Sequence, residues 1–435
     1  MVRAAAFGES SGTRSAGRRR CPWLRSAAIL GALAVLIGSA LTAGPGGDAV
    51  ADEPCTLART GIHHSLGVDS WDESYRRPDG TVTAVMLFLS FPDADPVADP
   101  GDLAAEYFPA TSEFFHRASY GAVRLEPHVV PRWARMPGTS RSYGISRDWD
   151  PRLRSAYLRD ALAAVGPLVD AGAHDIVYLV ADPDAPGVDS DATKVVNFER
   201  PVEVGGAEIS RLVTVFERRS PDRNVLAHET GHLFDLPDLY NRPEGDIGDW
   251  DTHVGDWDVM GSQFGLAPEL LGWHKWKLGW LGPEVIDCVR GAGTSRHTLE
   301  PLGAPLDREY PAGDTRMAVV PLGTHEALVA EARTRTGNDA TACTEGVLLY
   351  RVRSDVASGE GPVEVLDGHP GPGACHGSSV HPRLADAPLG AGEGFHLVDE
   401  GVRVEVGDRT ASGGWHLKIV IDPPGRTPAG PEHRD

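Results

Sequence analysis

Residues 228–238 read H-E-T-G-H-L-F-D-L-P-D, a set of residue types whose spacing could hold a metal ion beside a base. On a helix, His228 and His232 are four residues apart and project from one face, so two imidazoles can grip one ion. Glu229 follows the first histidine, where its carboxylate reaches a metal-bound water instead of the metal. Two imidazoles, a carboxylate and one position left for water form a catalytic ligand set for zinc. In that chemistry the cation lowers the pKa of its water towards about 7 and stabilises the oxyanion. Glu229 takes the water's proton as general base and delivers it to the departing amine. The third ligand is expected at Asp238, six residues after His232. Pro237 disfavours helical geometry in the residue before it, so the helix must stop by Leu236 and the chain can turn back to the ion. Glu269, further downstream, is the rival third ligand.

Other chemistry-bearing residues surround this stretch. Gly255-Asp256-Trp257-Asp258-Val259-Met260-Gly261-Ser262 reads as a Met-containing turn, with Met260 as an apolar floor beneath the metal and no chemical role. Between motif and turn lie Glu244, Asp246, Asp249, Asp251, Asp256 and Asp258, an oxygen-rich loop able either to bind Ca²⁺ or to stand solvated. His253 and His274 read as structural, and Trp250, Trp257, Trp273, Trp276 and Trp280 as core or cleft-wall residues. No G-x-S-x-G or comparable motif supports a serine or cysteine nucleophile.

The elements that must position these residues can be sketched from periodicity. Thr81–Phe91 is a nearly continuous apolar run, as in a buried strand. Helical spacing covers Leu103–Ser119 and Pro151–Ala171, with strands expected at Val123–Val130, Asp175–Val180 and Ser210–Phe216, the last at the edge facing the cleft. Ser220, Pro221 and Asp222 carry the capping chemistry to open the motif helix. A further helix is expected at Pro268–Leu278. After Gly282-Pro283 the chain changes to short β-rich runs between Gly- and Pro-rich turns, at Met317–Leu322, Ala327–Ala332, Val347–Arg353, Arg403–Val406 and Trp415–Ile421. The fold class expected is α/β (α+β): a catalytic domain with a twisted sheet and an active-site helix, followed by a β-sandwich-like domain. The organisation expected is an export signal at 1–51, an N-terminal arm or short pro-segment at 52–80, the catalytic domain at 81–285, the β-rich domain at 286–422 and a disordered tail at 423–435.

Composition bounds the partners. The 435-residue chain has 41 Lys plus Arg against 62 Asp plus Glu, a net charge of −21, which argues against nucleic acid as partner. Arginines 14, 18, 19, 20 and 25 precede an apolar run to about Ala43 and an A-x-A site at 49–51. This is the pattern of a cleaved signal, by the general or the twin-arginine route, and it implies a secreted protein with no stable membrane association afterwards; the competing reading is an uncleaved membrane anchor, since the run is about 17 residues long. Cleavage leaves Cys55, Cys288, Cys343 and Cys375, enough for two disulfides with three connectivities. The preferred pairs are Cys343–Cys375 and Cys55–Cys288; the alternative for Cys55 is a thiolate capping the zinc.

Three segments resemble the immune inhibitor A family of secreted bacterial metalloproteases in the metzincin group: H-E-T-G-H-L-F-D-L-P-D-L-Y (228–240), W-D-V-M-G-S (257–262) and L-G-W-H-K-W-K-L-G-W (271–280). Weaker echoes extend the resemblance over about residues 81–355. It implies a metzincin-like zinc endopeptidase, often calcium-stabilised and made with a pro-segment. His228 and His232 match its zinc histidines, Glu229 its base, Asp238 its third ligand and Met260 its Met-turn. Where the family usually has glycine, this chain has Asp235; the left-handed turn there must be carried by an aspartate. The expected activity is hydrolysis of protein or peptide substrates by a monomer. The alternatives are a catalytically inert extracellular binding protein on a protease scaffold, or a zinc hydrolase of another amide.

Overall fold

The computed structural model describes residues 55–60, 67–204, 206–218, 223–242, 248–306, 313, 315–371 and 373–423. The export signal, the capping residues Ser220, Pro221 and Asp222, the loop acids Glu244 and Asp246 and the tail from 424 lie outside the described residues.

Strand β1 (Gly80–Ser90) explains the architecture around the motif. Successive side chains alternate between faces, and here both faces are covered. Val82, Ala84, Met86 and Phe88 enter one core; Val85, Leu87 and Leu89 enter another. Around it lie β2 (Val123–Arg135), β3 (Ile176–Ala181), β4 (Lys194–Val204) and β5 (Ala207–Val215), in the order β2-β1-β3-β5-β4. All pairs are parallel except β4–β5. The edge facing the cleft is therefore β4, and β5, expected there from the sequence, is internal. β2 runs on through Pro127 and Pro131 because it is the opposite edge, where a missing N–H costs no ladder bond.

Helices α1 (Pro100–Tyr107) and α2 (Ala110–Ala118) replace the single helix expected at Leu103–Ser119. Pro109 supplies no N–H and restricts Phe108, so the helix breaks there. Helix α3 (Pro151–Val165) is capped by Asp150, whose carboxylate accepts from the Arg152 and Leu153 amides, and it ends before Gly166-Pro167. The motif helix is α4 (Arg223–Leu233). The next, α5 (Gly272–Lys277), is shorter than expected, because the amides of Glu269, Leu270 and Leu271 are bonded to side-chain carboxylates instead of to a preceding turn.

Only strands and short 3₁₀ turns follow among the described residues: β6 (Ile286–Cys288), β7 (Gly293–Leu299), β8 (Met317–Pro321), β9 (Glu326–Arg333), β10 (Gly346–Arg353), β11 (Val363–Val365), β12 (Gly394–Leu397), β13 (Val402–Arg409) and β14 (Trp415–Ile421). They form sheets ordered β11-β10-β9-β8-β6 and β12-β13-β14-β7. The first of these is covered on both faces. Met317, Val329 and Tyr350 pack with Trp257 and Trp273 in the core of α4, while Ala318, Leu328 and Leu349 pack against Leu417 and Ile419. The apolar cluster around α4 is thus continuous across residue 285, and residues 54–435 group as one compact unit. The chain is a mixed α/β protein of several sheets and few helices. No described helix is long and apolar enough to cross a membrane.

Two disulfides complete the frame, Cys55–Cys288 and Cys343–Cys375, the pairs preferred from the sequence. Cys55 is therefore no free thiolate. The first bridge joins residues 233 apart, ties the N-terminal segment to β6 and so removes much freedom from the unfolded chain. Replacing Cys55 and Cys288 by serine should lower the unfolding free energy by about 2–5 kcal/mol in urea titration.

Candidate metal centre

His228 and His232 lie on α4, both buried, with their rings edge to face. The His228 Nδ1 meets the Val259 carbonyl at 2.9 Å, and the His232 Nδ1 meets the Leu236 carbonyl at 2.8 Å. A carbonyl only accepts, so both Nδ1 atoms carry protons and Nε2 is the atom each ring has left to offer a cation. The two Nε2 atoms lie 3.2 Å apart. Asp238 Oδ1 lies 3.3 Å from the first Nε2 and 3.0 Å from the second. Three ligand-type atoms this close need positive charge among them, a proton on His232 or, in its place, a metal ion. Zinc bonds of about 2.0–2.1 Å at tetrahedral angles put ligand atoms about 3.3 Å apart, so the spacing fits that ion. Among the described residues, His228, His232 and Asp238 are the only group of three or more His, Cys, Asp or Glu side chains so converged.

The rival ligand is elsewhere. Glu269 is buried, and its carboxylate pairs with Lys275 at 3.3 Å and accepts from Asn338. Glu229 flanks the converged trio. Its Oε2 accepts the Val195 amide of β4 at 2.6 Å, which turns the carboxylate towards the cleft edge. Burial pushes the Glu229 carboxyl up, and the two imidazoles and that amide oppose the shift. Burial disfavours a charged His232, but the Asp238 carboxylate outweighs it and raises the ring to about 9. Asp238 is held far below the usual carboxylate range: burial alone would raise it, and the imidazoles beside it dominate.

Met260 lies beneath α4. A Cβ on Gly231 would collide with its sulfur, so the glycine between the two histidines is what lets the methionine approach. The Met260 carbonyl accepts the Leu239 amide, and the Val259 carbonyl orients His228. The turn is itself held by Asp258, which is wholly buried. One oxygen accepts the Met260 amide; the other accepts the Leu271 amide and His274 Nδ1 at 3.0 Å. Asp256 is likewise occupied, by the amides of Leu266 and Val380 and the Ser379 hydroxyl. Two of the loop acids considered for calcium thus bind the chain itself.

The helix end has the left-handed turn at Asp235, φ +64°. Its carboxylate is buried against Lys277 Nζ at 2.9 Å and accepts the Asp72 amide. Burial lifts its pKa to about 6 even so. Lys277 also donates to the Asp235 and Gly67 carbonyls, so an N-terminal strap and α5 together hold the turn that a glycine would make unaided.

The centre opens into a cleft of about 620 Å³, within the range of ligand sites. Val195, Tyr240, Trp250 and Phe264 contribute walls, and Arg147, Lys194 and Arg242 contribute cations. Sequence reasoning missed three positioning groups. Tyr178 bonds the Thr230 hydroxyl at 2.8 Å and so pins the motif helix to β3, but nothing in a buried strand marks one tyrosine. β4 was hidden by its charges, which suit an edge. Asp258 read as a metal-loop acid, although its D-x-M-G setting next to the turn was visible. Comparison with protein-family models and with curated proteins finds no match to this chain.

Two outcomes follow from this geometry. His232 must lose a proton to bind a cation, so apparent zinc affinity should rise as pH increases, by about tenfold per unit at neutral pH, and level off near 9; competition with a chromophoric chelator measures it. Asp258→Ala should weaken zinc binding by about 10–100-fold in the same assay, since it releases the turn that orients His228.

Proposed function

We propose that this protein is an exported zinc endopeptidase of immune inhibitor A type, metzincin-like in its catalytic part. The observation that carries the reading is the convergence of His228 Nε2, His232 Nε2 and Asp238 Oδ1 at zinc spacing beside Glu229. Zinc bound there would supply Lewis-acid polarisation of a carbonyl and a more acidic water. Glu229, held by the Val195 amide, takes the proton of the attacking water and passes it to the leaving amine.

A peptide substrate also has a natural seat. β4 is an edge strand, and Val195 directs its amide away from β5 towards the cleft. An extended peptide can add to such an edge through main-chain hydrogen bonds, which places a scissile bond beside the centre without dictating its side chains. The motif helix, the Met260 turn beneath it and the left-handed turn at Asp235 support the metzincin-like assignment. The two disulfides favour an oxidising, extracellular destination.

Glu229→Gln should keep stoichiometric zinc and lose about 10²–10⁴-fold in kcat/KM on casein-derived peptides. Chelator should abolish the wild-type cleavage and zinc should restore it. Chelator-resistant cleavage, or a Glu229→Gln protein as active as wild type, would contradict the reading; zinc binding without any peptide cleavage would favour an inert binding protein.

A further inference from the structure

The two histidines take their orientation from carbonyls close to them in the fold, on the helix end and the Met260 turn. Asp238 does not. It follows Pro237, which has no N–H, so the Asp238 amide is the first after Leu236 that can anchor the chain as it leaves the helix. That amide donates to the Ser358 hydroxyl at 2.9 Å. The Asp238 carbonyl accepts the Gly359 amide at 3.0 Å, and the Arg242 amide donates to the Gly359 carbonyl at 2.9 Å. Asn241 and Glu360 complete the pairing as an isolated antiparallel bridge. The segment 238–242 is therefore stitched to residues 358–360, in the loop between β10 and β11.

The loop is built for this. Gly359 stands at φ +78°, a left-handed conformation that favours glycine, and it offers both its amide and its carbonyl to the ligand segment. The loop is closed at its base by the Arg353 amide on the Pro362 carbonyl, with the Arg353 guanidinium on the Gly361 carbonyl. Val365, just beyond it, donates to the His253 carbonyl of the segment leading to the Met260 turn. A carboxylate ligand is only as well placed as the backbone that carries it, and outer contacts of this kind are worth about 10–100-fold in metal affinity.

We propose that Ser358 and Gly359 position Asp238 as the third metal ligand, so that the β10–β11 loop is a working part of the metal centre. This deepens the zinc reading above and rests on it. Metal occupancy and the order of the C-terminal β region are then linked: whatever loosens the loop lowers metal affinity, and bound metal steadies the loop. Neither residue touches the ion, so both act through Asp238 alone.

The test uses the full chain as wild type, Ser358→Ala, Ser358→Thr and, as an exposed control in the same loop, Asp355→Ala. Three readouts are taken: zinc affinity by chelator competition, the visible spectrum of the Co²⁺-substituted protein, and the urea midpoint of the metal-free protein. Ser358→Ala should lose about 10–100-fold in zinc affinity and alter the Co²⁺ bands, which report ligand geometry, with the metal-free midpoint near wild type. Ser358→Thr, which keeps the acceptor, should restore both; Asp355→Ala should match wild type. Gly359→Ala, which strains the left-handed backbone, should repeat the loss. Unchanged affinity and spectrum in Ser358→Ala would overturn the proposal. So would a loss that threonine does not rescue and that follows the metal-free midpoint, since that is a packing defect. Wild-type protein that binds no zinc would overturn the functional reading and this proposal together. Zinc binding without peptidase activity would overturn the peptidase alone, and the metal comparison would still decide the role of Ser358.

Discussion

Two imidazole nitrogens and one carboxylate oxygen point into the same small volume, and the positive charge this crowding demands is the constraint around which the rest is arranged. Nothing in an apolar core would choose it. It persists because the two rings are fixed from behind: His228 by the Val259 carbonyl, His232 by the Leu236 carbonyl. Each carbonyl then needs its own support. Leu236 is held by the turn at Asp235, which Lys277 and the Asp72 amide clamp. Val259 is held by the Met260 turn, which Asp258 and His274 clamp.

Buried charge is the recurring material of these supports. Arg333 on β9 is fully buried, yet it donates to the carbonyls of Trp257, Ala267 and Glu269 on either side of the Met260 turn. Glu331 and Asp339 neutralise it. Lys275 and Glu269 form a second buried pair close by. Burying such groups is expensive, and a well-packed apolar substitute can be as stable. What a guanidinium adds is geometry: several donors in one plane fix loops that have no regular backbone pairing of their own. The region 257–271 is such a loop, and the charges stand in for the ladder it lacks. The sheet containing β9, which carries Arg333, is covered on both faces and shares a core with α4.

Legibility in the sequence followed the range of the interactions. β1 and β3 were readable because a strand buried on both faces must be apolar throughout. The trio was readable because helical spacing and Pro237 act within eleven residues. The split of the helix at Pro109 was equally local, but the apolar periodicity on either side masked it. Longer-range features were not readable. The edge position of β4 depends on sheet order, which no single segment encodes. The acids at 256 and 258 read as free because their amide partners lie at 266, 271 and 380. Asp235 was visible as a departure from glycine, but its partner Lys277 is 42 residues away. Glu269 as a ligand was compatible with spacing alone and fails because Lys275 and Asn338 occupy it.

The most direct test is anomalous diffraction at the zinc edge from crystals grown with zinc. One peak should appear about 2.0–2.1 Å from His228 Nε2, His232 Nε2 and a carboxylate oxygen of Asp238, with Glu229 outside bonding distance. A peak that bypasses Asp238, or density without any peak between the two imidazoles, would contradict the proposed metal centre.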